Sequence, residues 1–182
     1  RPTEGYGESS TISTSSTLGK SYWGVIIPHE AKAQGAQTPT GGESEYRYAL
    51  NMMQFLKLPF ETRDIGGVFG AASRLIDKYK VTATLEPHLN AYNGQAEGFE
   101  LLVLAGDTDS IEMAHKIGEQ FKASFPNKKY RGIKLMQSGG RGYSNLKSAK
   151  NAGAKIAILS EAFFIDNKND YIGKEEMARF WA

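Results

Sequence analysis

The sequence predicts an α/β protein with a central, twisted, largely parallel sheet of about six strands and helices on both faces. Three observations support this fold class. Short apolar runs of strand length alternate along the chain with longer segments whose apolar residues recur at helical spacing. The chain has 182 residues, which is enough to bury one full core. Its hydrophobic fraction of 40% is ordinary for a globular domain.

Composition and charge exclude several classes of protein. The net charge is only +2, and neither a long run of Lys and Arg nor an RNA-binding motif indicates a nucleic-acid partner. The absence of cysteine excludes disulfides and thiolate metal sites, so a zinc site would need His and carboxylate ligands. No apolar run approaches the ~20 residues of a membrane span. No signal peptide is visible in this sequence, which begins at Arg1.

The start of the chain differs in composition from the rest. Residues 1–20 are rich in Ser, Thr and Gly and carry no apolar pattern, which predicts a flexible tail or linker. We expect residues 21–182 to form a single domain.

The first half of this domain alternates strands with helices. An apolar run ends at Pro28 and His29, and a loop of small residues follows. The next helix has Glu43 and Glu45 in its first turn, where the helix dipole favours carboxylates. The predicted elements are a strand at 22–27, a helix at 43–56, a short edge strand at 60–63 and a helix at 68–79 with Phe69, Ala72, Leu75, Ile76 and Tyr79 facing inward.

Residues 81–90 contain a candidate metal ligand, His88. Apolar residues alternate with Thr and Glu at the start of this segment, which predicts a strand. Pro87 cannot donate to a sheet ladder, so we expect the strand to end there. His88 then lies at a strand-to-loop junction, where α/β proteins tend to place ligands. The alternative is a histidine that is simply hydrogen-bonded at a strand end.

The second half of the domain continues the alternation. A strongly apolar run of strand length ends at Glu161. His115 lies in the middle of a helix between charged neighbours, so we expect it to face solvent rather than a metal. The predicted elements are a strand at 99–104, a helix capped by Thr108 or Asp109, a weak strand at 132–136, a helix at 146–152 with Gly153 as C-cap, a strand at 155–160 and a helix at 171–181.

Polar residues at three predicted strand ends suggest one shared site. His29, His88 and Glu161 each follow an apolar strand, and parallel strands place their carboxyl ends on one edge of the sheet. Glu45 opens the helix after the His29 loop. Two histidines and one carboxylate are a common catalytic zinc set, with the fourth position left for water. A further carboxylate beside the metal can act as general base.

Two of these assignments have alternatives. Glu43 lies two residues before Glu45 and is a second candidate ligand at the same helix start. Glu161 has a structural alternative, a salt bridge to an arginine such as Arg63 or Arg131.

A series of short motifs then points to a known family. In order, the segments are 25–29 followed by Gly35-Ala36, Glu45 at a helix start, Thr62-Arg63-Asp64, Arg74, Glu86-Pro87-His88-Leu89-Asn90 followed by Gly98-Phe99-Glu100, Arg131-Gly132-Ile133-Lys134, and the segment 161–167 that begins with Glu161. With these motifs in this order, the chain resembles the catalytic domain of zinc-dependent N-acetylmuramoyl-L-alanine amidases, the type 3 amidases of bacterial autolysins and phage endolysins. The resemblance runs from about Tyr22 to Asp170.

The resemblance implies roles for four residues. It makes His29, Glu45 and His88 the ligands of one zinc ion and Glu161 the catalytic carboxylate. It implies peptidoglycan as substrate, cut at the amide between the lactyl group of N-acetylmuramic acid and L-alanine. It further implies action at the cell wall, in the periplasm or after secretion if bacterial, or on the host cell wall at lysis if phage-encoded. We expect the protein to be a monomer.

The sequence departs from the family pattern beside the presumed site. Pro28 and Glu30 replace the glycines that flank the first histidine, Pro87 precedes the second, and Phe163 replaces a glycine after the glutamate. Two other functions therefore stay open. One is a different zinc peptidase on cell-wall peptides, such as a carboxypeptidase. The other is a peptidoglycan-binding domain that has lost catalysis, although all four chemical positions are filled.

Overall fold

The computed structural model describes residues 20–182, so the predicted tail lies outside the described residues except for Lys20. These residues form one mixed, six-stranded sheet with the order β2-β1-β3-β6-β4-β5. The strands are β1 (Trp23–Ile26), β2 (Phe60–Glu61), β3 (Ala83–Asn90), β4 (Phe99–Leu104), β5 (Tyr130–Met136) and β6 (Ile156–Phe164). Neighbouring strands are parallel except for β4 and β6. The predicted α/β class and largely parallel sheet are confirmed.

Helices cover both faces of the sheet, as predicted. They are α1 (Glu45–Met52), α2 (Gly67–Tyr79), α3 (Thr108–Ser124), α4 (Tyr143–Ala152) and α5 (Lys174–Trp181). Side chains alternate between the faces of a strand, so each strand contributes to two cores. Leu101 and Val103 of β4 belong to the core that includes residues of α1, α3 and α5, whereas Leu102 belongs to the core that includes residues of α2 and α4. No helix within residues 20–182 is long and apolar enough to cross a membrane.

Two strands run further than the sequence suggested, and both carry site residues. β3 continues through Pro87 and His88 to Asn90, and β6 continues through Glu161 to Phe164. The prediction that β3 ends at Pro87 is wrong because β1 pairs with β3 only as far as Leu85. Beyond that residue β3 is paired on one side only, where a residue without an N–H is tolerated.

β6 is the innermost of the site strands. Each of its residues from Ile156 to Phe164 is buried, and it pairs with β3 on one side and β4 on the other. Glu161 therefore lies inside the sheet, opposite His88 of β3 and Glu100 of β4, rather than beyond a strand end. The sequence predicts a strand end at this position because Glu161 is a charged residue that follows an apolar run.

The inward face of α2 differs from the predicted face. Phe69 and Tyr79 are 53% and 43% exposed, so placing them in the core was wrong. The buried residues keep helical spacing but begin one residue earlier than predicted. They are Val68, Ala71, Ala72 and Leu75.

Several helix boundaries differ from the predicted ones by a few residues. α1 ends at Met52 instead of residue 56, and α4 begins at Tyr143. The N-cap of α3 is Asp107, whose side chain accepts a hydrogen bond from the Ser110 N–H, rather than Thr108 or Asp109. Gly153 is the C-cap of α4 with a φ of 115°, as predicted.

Candidate metal centre

His29 follows β1 in a tight turn. Its φ of 63° lies in the left-handed region, which a residue with a side chain seldom adopts. The imidazole packs directly on Gly35, where a Cβ would lie 2.4 Å from two ring atoms. Gly35 itself has a φ of 77°. This glycine is therefore required twice, for its own backbone conformation and for the space that the His29 ring occupies.

Glu45 is the first residue of α1 and is almost fully buried. Ser44 caps the helix by accepting a hydrogen bond from the Arg47 N–H, which fixes where the helix begins. The Oε2 atom of Glu45 contacts the Nε2 atom of His29. Its Oε1 atom accepts a hydrogen bond of 3.3 Å from the Ala36 N–H. Both carboxylate oxygens are thus held in place.

His88 reaches the same carboxylate from the sheet. Its Nδ1 atom lies 3.1 Å from Glu45 Oε2, and its Nε2 atom lies 2.9 Å from Glu86 Oε1. Burial lowers the pKa of His88, but the hydrogen bonds with Glu45 and Glu86 outweigh this and raise the pKa to about 10. Burial likewise raises the pKa of Glu45, and its two histidine contacts bring that pKa below the usual value.

The three predicted ligands therefore come together. One ligand atom from each of His29, Glu45 and His88 lies within 4.8 Å of the other two. Zinc takes imidazole nitrogens and carboxylate oxygens at about 2.0–2.2 Å, so small side-chain movements would bring all three onto one ion. The donor set and its convergence fit a divalent metal, and the metal-binding roles of these residues remain predictions.

Glu161 lines the same cleft, which has a volume of about 470 Å³. The carboxylate is buried, and no group within residues 20–182 hydrogen-bonds its Oε2 atom. Burial raises the pKa of Glu161 to about 7; the nearby Glu45 adds to this rise, and the charge of His88 opposes it. A buried carboxylate with one uncommitted oxygen is suited to receiving and releasing a proton.

The structural alternative for Glu161 does not hold for the two arginines we named. Arg63 pairs with Glu86 at 3.0 Å, and Arg131 pairs with Glu100 at 3.3 Å. The arginine that forms an ion pair with Glu161 is Arg141, whose guanidinium lies 3.8 Å from its Oε1 atom. Arg141 is also bound at 2.5 Å to Glu100, so its charge is shared between the two carboxylates.

The alternative ligand Glu43 and the third histidine, His115, lie outside the cluster. Glu43 precedes the helix, and its carboxylate accepts a hydrogen bond of 2.6 Å from Lys174 Nζ. Glu45 is therefore the glutamate that reaches the histidines. His115 lies on α3, exposed and apart from the cluster, as predicted.

Sequence reasoning missed the polar residues that surround the candidate ligands. Glu86 appeared to be the outward residue of an alternating strand, yet it is buried against His88. Asn145 and Arg141 line the cleft from the region of α4, where nothing in the sequence suggested a site. The signal available for Glu86 was its position two residues before a candidate ligand, because residues i and i+2 of a strand share a face.

Two of the departures from the family pattern fit the fold without disruption. Pro87 lies within β3, in the part that β1 does not reach. Phe163 is fully buried and packs edge to face on Tyr48 of α1, with ring centroids 5.2 Å apart. A register shift between β3 and β6 after His88 accompanies this packing.

Fold and site together define the class of this protein. It is an α/β domain that presents a two-histidine, one-carboxylate cluster and a separate buried carboxylate in one cleft.

Comparison with known proteins narrows that class. No family model and no curated protein matches the sequence, whereas solved structures match the fold. Cwp6 from Clostridium difficile is 26% identical with a TM-score of 0.64, and the match covers 88% of this chain but 28% of that chain. The catalytic domain of the CD27L endolysin, which targets Clostridia difficile, is 22% identical with a TM-score of 0.65, covering 88% of this chain and 94% of that chain.

A third structure carries an activity in its name. The catalytic domain of CwlV, an N-acetylmuramoyl-L-alanine amidase from Bacillus (Paenibacillus) polymyxa, is 15% identical with a TM-score of 0.63, and the match covers 88% of this chain and 93% of that chain. The chain described here has the fold of N-acetylmuramoyl-L-alanine amidase catalytic domains. The resemblance seen in the sequence is thereby confirmed at the level of the fold.

Proposed function

We propose that this protein is a zinc-dependent amidase that cleaves the bond between N-acetylmuramic acid and L-alanine in peptidoglycan. The observation that carries the proposal is the convergence of His29 and His88 on one oxygen of Glu45. The shared fold of amidase catalytic domains supports it. The place of action would be the cell wall of the producing bacterium, or of the host if the protein comes from a phage.

The ligand set fits the chemistry of a catalytic metal. His29 Nε2, His88 Nδ1 and a Glu45 oxygen would hold the ion, and the open cleft leaves one side accessible. Zinc bound there would supply a Lewis acid and a water of lowered pKa.

Proton transfer falls to Glu161 in this proposal. Its buried carboxylate would accept the proton of the attacking water and deliver it to the amine of the departing alanine. A group with a pKa near neutrality serves both steps, because it takes and gives up a proton at similar cost. Arg141 lies beside Glu161 and is half-exposed, so it faces the space that substrate would enter.

Product analysis tests this function directly. Purified protein with one equivalent of zinc should release peptides that begin with a free alanine amine and glycan that retains its lactyl carboxyl group. Exhaustive chelation should abolish the reaction, and one equivalent of zinc should restore it. Cuts within the peptide stem would indicate a peptidase instead. Binding to peptidoglycan without any new amine would indicate a binding domain. Full activity in metal-free protein would contradict zinc dependence.

A further inference from the structure

Glu86 is the second carboxylate on His88. The two residues lie on one face of β3, separated by Pro87, so the Glu86 side chain lies alongside the imidazole. Glu86 Oε1 is 2.9 Å from His88 Nε2, the nitrogen on the far side of the ring from Glu45. The ring is thus held at both nitrogens.

Other elements hold Glu86 in turn. Its Oε1 atom accepts hydrogen bonds of 3.0 Å from Arg63 Nη1 and 2.9 Å from Asn145 Nδ2. Arg63 follows β2 and Asn145 belongs to α4, so three separate parts of the fold meet at one oxygen. Glu86 is only 4% exposed, and a buried carboxylate is retained at such a position only when charged or polar donors satisfy it.

The hydrogen bond between Glu86 and His88 determines which nitrogen of His88 is free to bind a metal. A neutral imidazole carries one proton, and only the other nitrogen has a lone pair for a metal. A carboxylate at Nε2 accepts a hydrogen bond only if Nε2 carries the proton. Nδ1, which faces Glu45 and His29, is then the nitrogen left to bind a metal.

We infer that Glu86, held by Arg63 and Asn145, is a positioning residue that fixes the tautomer and orientation of His88 for metal binding. The inference rests on the proposed metal centre and concerns the residues that hold one of its ligands, His88, in place. Outer carboxylates of this kind also raise the basicity of the histidine they contact.

Zinc affinity is the measurement that tests it. Glu86→Gln keeps the shape of the side chain but removes its charge, and we expect zinc to bind about 10- to 100-fold more weakly. Glu86→Asp, which restores the charge on a shorter side chain, should recover part of the loss. The matched control is Glu100→Gln, because Glu100 is also a buried glutamate held by two arginines and an asparagine but contacts neither histidine. It should leave the affinity within about twofold.

Nuclear magnetic resonance supplies a readout that a purely structural role would not change. In zinc-loaded protein the His88 Nε2–H proton should give a far-downfield signal, typical of a donor to a carboxylate. The signal should move upfield in Glu86→Gln. If that variant fails to fold, Asn145→Ala removes one support of Glu86 from the rim of the cleft and should cause a smaller loss in the same direction.

The outcomes separate this inference from the proposed function. Unchanged zinc affinity and an unchanged Nε2–H signal in Glu86→Gln would overturn the inference even if the protein is an amidase. Zinc binding that depends on Glu86, in a protein that releases no alanine amine, would uphold the inference and overturn the amidase proposal.

Discussion

The two histidines of the candidate centre are held in place by different means. His29 lies in a loop, its side chain is 30% exposed, and its position depends on a left-handed backbone and on close packing against Gly35. His88 lies in a strand, its side chain is 11% exposed, and carboxylates flank both of its nitrogens. Backbone shape orients the first ring, and hydrogen bonding orients the second.

The two histidines therefore depend on different interactions, those of the loop around His29 and those of the strand around His88. A loop residue in the left-handed region carries a cost of order 1–3 kcal/mol that the surrounding structure has to offset. A strand residue costs no such strain, but its buried partners must all remain paired. We therefore expect the His29 side to be sensitive to backbone substitutions and the His88 side to be sensitive to charge.

The largest effect should come from Glu45, which contacts both histidines. Glu45→Gln removes the negative ligand that they share, and both zinc and activity should be lost. The loss of affinity should exceed the roughly 10- to 100-fold typical of a group that only orients a ligand. Metal analysis after dialysis, together with peptidoglycan turnover, measures it. One equivalent of zinc retained by this variant would mean that Glu45 is not a ligand.

Glu161→Gln should remove catalysis without affecting metal binding by the two histidines. The amide keeps the shape of the carboxylate but cannot accept a proton, so turnover should fall roughly 10²- to 10⁴-fold. Zinc content and melting temperature should stay near those of the parent protein, since the proposed ligands are intact. A near-parental rate would remove Glu161 from the mechanism, and zinc loss would make it a ligand.

Gly35→Ala tests the His29 side alone. The added methyl group would overlap the imidazole, and alanine at a φ of 77° is strained. We expect a loss of about 1–3 kcal/mol in the free energy of unfolding, with weakened zinc binding. Denaturant titration and zinc competition measure the two effects. Gly139→Ala serves as control, because its φ is 84° but its Cβ would meet no atom of residues 20–182 within 4 Å. It should cost stability without weakening zinc binding, and equal zinc affinity in both variants would show that the Gly35 contact is unimportant.

The smallest effect on zinc content and turnover should come from substituting His115, which lies outside the candidate site. His115→Ala changes an exposed position on α3, so zinc content and turnover should stay within about twofold of the parent protein. Loss of stoichiometric zinc in this variant would mean that the ligand set has been drawn from the wrong histidines.

The sequence predicted the parts of this structure that depend on local periodicity. Alternating apolar runs and helical spacing were sufficient for the fold class, and polar residues after apolar runs led to His29, His88 and Glu161. Glu45 was a candidate from its place at a helix start, and the resemblance to an amidase family assigned it the ligand role. The same reasoning placed the ends of β3 and β6 too early, because it treated Pro87 and Glu161 as boundaries and could not know which neighbouring strands would pair with them.

The surroundings of the ligands depend on contacts that local patterns do not encode. Arg63 and Asn145 meet at Glu86 from 23 and 59 residues away along the chain. Whether a glutamate on an alternating strand faces water or a buried histidine depends on how the neighbouring helix closes over it. That information appears only once the sheet order and α4 are in place.

The central position of β6 has a consequence for motion. Local opening begins where few buried contacts hold the backbone and reaches fully buried, doubly paired strands last. Amide hydrogens of β6 should therefore exchange near the rate of global unfolding, and those of the loop around His29 much sooner. On this account a brief opening of the loop would move His29 away from the other two candidate ligands, while Glu161 would stay fixed in the sheet.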